Sequence, residues 1–177
     1  MTHTALIIAA ALAVPAAPLA IAGAQPVSDA QIASIVVTAN QVDIDAGKLA
    51  SQRASKPEVK AFGKQMVTDH TGVNKQATAL VTKLKVTPED NSTSKSLKQG
   101  GEDNLKNLRS LKGAAFDKAY VDHEVAYHQA VLDAVDKTLI PNAKNEELKA
   151  LLVQVRPAFV THLEHAKHVQ ASLKKTD

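Results

Sequence analysis

The sequence predicts an all-α fold, a bundle of four long helices arranged as two antiparallel hairpins joined by one long crossing connection. Two observations carry this reading. Apolar residues recur at three- and four-residue steps over four long stretches, the period of a helix with one face in a core. The breaks between those stretches run short, long, short: Ser55-Lys56-Pro57-Glu58, then residues 86–101, then Pro141-Asn142. A third observation concerns what lies on the stripes. Each carries an ionisable residue where the core should be: Asp43 in the first, Asp69 and His70 in the second, Asp117 and His128 in the third, His162 in the fourth. Burying a charge is costly unless it is paired, hydrogen-bonded or metal-bound, so these exceptions are expected to share one cause and to meet.

The first helix spans 28–53, capped by Ser28 or Asp29, with Ile32, Val36, Ala39, Ala46 and Ala50 on its stripe and Asp43 among them. Ser55-Lys56-Pro57-Glu58 reads as a capping box that starts the second helix, whose stripe is Phe62, Met66, Asp69, Val73, Ala77, Leu80 and Leu84, with His70 at its edge. Counted from the turn, Asp43 and His70 should stand within roughly 3 Å of the same height. Thr87-Pro88 and the polar run from Asn91 to Lys95 form the long connection, with at most a short helix before Gly100-Gly101. Helix resumes at Glu102 and can break at Gly113. The third stripe is Asp117, Val121, Val125, His128, Leu132 and Val135, with Glu124 beside it. Leu148, Leu152, Val155, Phe159, His162, Ala166, Val169 and Leu173 mark the last helix, where Pro157 predicts a kink. Counting rises from Pro141 puts His162 level with Tyr120 to Glu124, and His128 on the order of 8 Å nearer the turn.

Residues 1–24 contain no Asp, Glu, Lys or Arg and end in Ala22-Gly23-Ala24, so they read as a signal peptide cleaved after Ala24, leaving residues 25–177 as a single domain. Pro15 and Pro18 interrupt the apolar run before the roughly 18 to 20 residues a spanning helix needs, so no transmembrane helix is expected in the mature chain. The expected location is periplasmic or secreted. With no cysteine, disulfides, thiolate metal sites, cysteine nucleophiles and covalent c-type haem are excluded. The net charge of +3 is spread among scattered Lys, Asp and Glu, and aromatics are 3%, which leaves neither the basic face nor the stacking side chains that nucleic-acid binding requires.

If the inward groups hold a metal, His70 and His162 are the expected nitrogen ligands, with Asp43, Asp69 and Asp117 supplying oxygen or orienting the rings. Tyr120, Glu124, His128 and Glu164 are expected around them. Zinc, iron, manganese and copper all suit such donors. The Glu-x-x-His pairs of di-iron proteins do not occur; Glu124 to His128 and Glu164 to His168 are four apart instead. The alternative is a buried Asp-His network that fixes helix register without metal. Weaker signals are His162, His165 and His168 at three-residue steps, Ser92-x-x-Lys95, and Met66 one turn from His70.

Several segments resemble, in order, one bacterial family. They are Val42-Asp43-Ile44-Asp45-Ala46-Gly47-Lys48-Leu49-Ala50; Glu58-Val59-Lys60-Ala61-Phe62 leading to Met66-Val67-Thr68-Asp69-His70-Thr71; Gly113-Ala114-Ala115-Phe116-Asp117-Lys118-Ala119-Tyr120-Val121 with His128; and Pro157 with His162-Leu163-Glu164-His165-Ala166. The family is called domain of unknown function 4142. The resemblance implies a ferritin-like four-helix fold and a periplasmic or outer-membrane-associated location, and it brings no established activity. Glu is usual in the family where Asp43 stands, and His123, His165 and His168 look particular to this chain. The leading expectation is an exported, non-enzymatic metal-binding bundle serving metal handling or envelope stress. The alternatives are an envelope structural or interaction module, including one that pairs with its own copy, and a metal-dependent oxidoreductase.

Overall fold

The computed structural model describes residues 26–175, all of whose regular elements are helical. They are α1 (Asp29–Arg53), α2 (Pro57–Lys83), α3 (Ser92–Ser110), α4 (Gly113–Ala134), a π-helical stretch (Val135–Leu139) running into the short α5 (Ile140–Asn142), and α6 (Glu146–Leu173). The leader expected at 1–24 lies outside the described residues. Among the described residues no helix is long and apolar enough to cross a membrane.

Contacts between α1 and α2 pair Asn40 with His70 and Val37 with Asn74, so one number falls as the other rises and the helices are antiparallel. Asp122 with Gln170, and Asp136 with Arg156, give the same sense to α4 with its π extension against α6. Contacts of α2 with α6 and of α1 with α4 close the ring of four. Two glycines draw α1 and α2 together: a Cβ on Gly47 would lie 2.7 Å from the Gly63 carbonyl oxygen.

Ser28 caps α1 as expected, its hydroxyl accepting from the Gln31 N–H while Gln31 Oε1 accepts from the Ser28 N–H. The capping box expected for α2 does not form. Lys56 is the N-cap and offers no side-chain bond, and Glu58 accepts from the Ser172 hydroxyl of α6 instead. The cap comes from across the bundle: Asp117 of α4 accepts from the Ser55 N–H (2.8 Å), the Lys56 N–H (2.8 Å) and the Ser55 hydroxyl. Its inward position is thereby explained.

The crossing connection also differs from expectation. Ser92–Ser110 is one helix, started by an Asn91/Ser94 capping box and continuous through Gly100-Gly101. Gly101 is there for close approach, since a Cβ would meet Val42 of α1 at 2.7 Å. The helix is tied at both ends, by Ser34 donating to Asp90 (2.8 Å) and by Arg53 donating to the Arg109 and Leu111 carbonyls (3.1 and 3.0 Å). The expected break at Gly113 is present, with φ +57°.

The core has two apolar layers. One holds Ile32, Val36, Val73, Leu132, Leu152 and Phe159; the other holds Ala46, Phe62, Met66, Phe116, Val121 and Ala166. Between them, on every helix of the ring, lies a belt of buried polar groups: Asn40, Asp43, His70, Glu124, His128 and His162.

Candidate metal centre

Each belt residue is placed by helical period between apolar neighbours of the two layers. Asn40 and Asp43 stand between Val36 and Ala46, His70 between Met66 and Val73, Glu124 and His128 between Val121 and Leu132, His162 between Phe159 and Ala166. All six are at most 2% exposed. The ring centroids of His70, His128 and His162 lie 5.1 to 5.6 Å apart, and Phe159 stacks on His70 at 5.5 Å with 7° between planes.

Hydrogen bonds fix which nitrogen of each imidazole carries the proton. The Asn40 amide donates to the Val36 carbonyl (2.8 Å), so its oxygen is turned to His70 Nδ1 (2.7 Å), which must be the donor. His128 Nδ1 faces the Glu124 backbone carbonyl (3.1 Å) and donates to it. His162 Nε2 donates to Asp69 Oδ2 (2.9 Å). The second nitrogens, His70 Nε2, His128 Nε2 and His162 Nδ1, are left as buried lone pairs with no hydrogen-bond partner. Each ring is thus gripped on one side and open on the other, the arrangement that metal-ligating histidines adopt.

The carboxylates repeat the pattern. Asp43 Oδ1 and both oxygens of Glu124 are buried with no donor. Asp43 Oδ2 stands 3.4 Å from the His70 Nε2 lone pair, so two acceptors face each other. Burial pushes Asp43 and Glu124 above the usual carboxylate range, Glu124 the further because Asp43 lies against it. Burial also lowers His70 to about 3, with the neighbouring His162 adding to the fall. The Tyr120 hydroxyl sits beside Glu124 without closing a well-formed bond.

A cation would satisfy this set. One donor atom from each of His70, His128 and His162 lies within 4.8 Å of the others, and the same holds for Asp43, Glu124 and His128. Ligands around a tetrahedral zinc are separated by roughly 3.4 Å, so small side-chain movements would close either group. Buried acceptors converging without donors are what metal sites need and what an apolar core cannot tolerate.

The sequence-expected residues divide. His70, His162 and Asp43 come together as expected. Asp69 orients His162 from the rim, with 39% of its side chain exposed. It is therefore His70, not Asp69, that occupies the inward position on α2. Asp117 is spent on the α2 cap and does not join the histidines. Glu164 is exposed and paired with Lys167. Tyr120 keeps its expected place in the surroundings. His128 and Glu124, expected only around the ligands, stand among the donor atoms. The height mismatch for His128 disappears because α6 begins at Glu146, not directly after Pro141: His162 is 16 residues past that start and His128 is 14 before Asn142, within roughly 3 Å of level. Pro157 lies within α6, which runs unbroken from Glu146 to Leu173. Asn40 was missed; its signal is the four-residue step from Val36 on a stripe that also holds Asp43.

A family model described as Domain of unknown function (DUF4142) matches residues 14–169, and the chain belongs to that family. A solved structure titled "CopM in the Cu(II)-bound form" is similar in fold, with a TM-score of 0.66 at 15% identity over 84% of this chain and 99% of that one. No curated protein matches the chain.

Proposed function

From this membership in the DUF4142 family, we propose that the chain is an exported, ferritin-like helical bundle that binds a divalent transition metal in its core and serves metal handling or envelope stress, without catalysing a reaction of its own. One observation carries the reading: three buried imidazoles and two buried carboxylates converge with acceptor atoms that no protein group meets in a well-formed hydrogen bond. A bound cation would supply the positive charge that no protein group provides there. His70, His128 and His162 would hold it, with Asp43 and Glu124 balancing its charge.

Copper(II) is the first candidate. Imidazole suits it, it binds such donors more tightly than its first-row neighbours, and the structurally similar CopM carries Cu(II) in its title. Zinc is next; the lack of Glu-x-x-His pairs disfavours a di-iron centre. The reading as a metal-free register network has some support in the satisfied Asn40–His70 and Asp69–His162 contacts. It leaves the opposed acceptors unexplained.

The test is elemental content and thermal unfolding of the mature chain beside His70→Ala and His162→Ala, with added zinc, iron, manganese or copper. The expected result is one equivalent of copper per chain and a raised Tm in the parent, both lost in the variants. At free metal one hundred times Kd the gain is about 2.7 kcal/mol. A parent that binds nothing, with both variants strongly destabilised, would leave the register network as the function of the belt.

A further inference from the structure

The belt residues are almost wholly buried, so a cation must cross the bundle wall to reach them. The walls are unequal. α3 packs on both α1 and α4 and covers the seam between them. Among the described residues the opposite seam, between α2 and α6, has no such helix over it, and beside the belt it carries two polar rungs one turn apart, Asp69 with His162 (2.9 Å) and Gln65 with His165 (3.0 Å), with Glu58–Ser172 and Lys83–Glu147 pairing nearer its two ends.

The rungs grade from water to core. On α6, His168 is exposed, His165 is partly buried and His162 is 3% exposed at its side chain. His165 lies three residues, just under one helical turn, from each of the others. Its ring is held edge-on against Phe62 at 5.0 Å, and its Nδ1–H donates to Gln65, which leaves Nε2 as its lone pair. Asp69 bridges the two environments. It keeps 39% of its side chain in solvent while its Oδ2 receives the His162 proton.

We infer that divalent cations enter through the α2/α6 seam, caught first by Asp69 with the imidazoles of His165 and His168 and handed inward by His162. The inference rests on the metal-centre reading above. It gives the three-residue spacing of His162, His165 and His168 a use that the core site does not require. A rim carboxylate in the mouth of the seam also raises the local cation concentration, the effect by which charged clefts speed association.

The probe is copper(II) chloride added to the full mature chain in a stopped-flow instrument. Tyrosine emission follows uptake, because the chain has no tryptophan and Tyr120 is buried beside Glu124. The variants are Asp69→Asn, whose amide oxygen can still accept from His162, and the double variant His165→Gln with His168→Gln. Asp45→Asn, an exposed carboxylate on α1, is the control. Expected is uptake slowed by about fivefold or more in the double variant, with the parent's final stoichiometry and helical content, uptake slowed likewise in Asp69→Asn, and no change in the control. A double variant that loads at the parent's rate overturns the route. So does one whose final stoichiometry falls, since His165 or His168 would then be a ligand. A parent that takes up no copper removes the core centre itself and the route with it, an outcome separate from the other two.

Discussion

Asp117 and Glu124 lie two turns apart on the same face of α4, and each is 0% exposed. Asp117 accepts from two backbone N–H groups and a hydroxyl. Neither Glu124 oxygen makes a well-formed hydrogen bond, with Asp43 and the Tyr120 hydroxyl lying against it. Burial alone therefore does not distinguish a carboxylate that closes a cap from one left without a well-formed bond; the accounting of donors does. Asp117 ends a search for a partner that the α2 N-terminus began, while Glu124 keeps a vacancy of charge that the fold tolerates at a cost.

Four measurements press on that contrast. The largest effect is expected for Asp117→Ala, which strips from α2 a cap that accepts from two backbone N–H groups and a hydroxyl: a loss of about 2 kcal/mol in denaturant unfolding, with copper stoichiometry retained. Glu124→Gln should go the other way in metal-free protein, gaining about 1 kcal/mol by removing an unpaired acid, while metal affinity falls tenfold or more in titration. If Glu124→Gln destabilised as Asp117→Ala does, the distinction between the two would fail.

The third measurement is stability against pH without metal. Asp43 and Glu124 have folded values raised by burial, so their contribution is complete below the unfolded values of 3.8 and 4.5 and is lost as pH rises through the folded ones. His70 and His123 are lowered by burial to about 3 and about 4 from 6.5, so their contribution is complete above 6.5 and is lost as pH falls. Metal-free protein should thus be most stable between 4.5 and 6.5. Glu124→Gln should flatten the alkaline limb and leave the acid limb in place. The smallest effect carries the contrast to neutral groups. Tyr127 donates to the Ala39 carbonyl at 3.0 Å, whereas the Tyr120 hydroxyl has no partner. Tyr127→Phe should cost about 1 kcal/mol, and Tyr120→Phe nothing.

Much of the fold could be read from apolar period and capping chemistry, because both are local. Ser28 at the head of an apolar stripe announces α1. What escaped depends on contacts distant in sequence. Gly100-Gly101 looks like a break until Val42 supplies the surface that only glycine can approach, so α3 was read as mostly loop. Ser55 looks like a cap until Asp117, 62 residues away, takes that role. At the centre, Asp43, His70 and His162 were legible as polar residues on apolar stripes. The exchange of Asp69 for His70 is an error of one residue, about 100° of helix, which a stripe drawn through mixed small and polar residues does not resolve. His128 falls at the wrong height when the second turn is placed at Pro141, because helix continues to Asn142 and restarts only at Glu146, and Glu124 falls beside the stripe drawn through Val121, Val125 and His128.

The belt draws its members from α1, α2, α4 and α6, and no single stretch of the chain contains more than two of them. A nascent or extended polypeptide therefore carries the belt residues in four separate groups tens of residues apart. The centre exists only once all four helices are docked, so occupancy reports completed folding and cannot precede it. If the chain leaves the cytoplasm unfolded, as its proposed export implies, the protein would arrive empty, assemble, and then take its ion from whatever supply the destination offers.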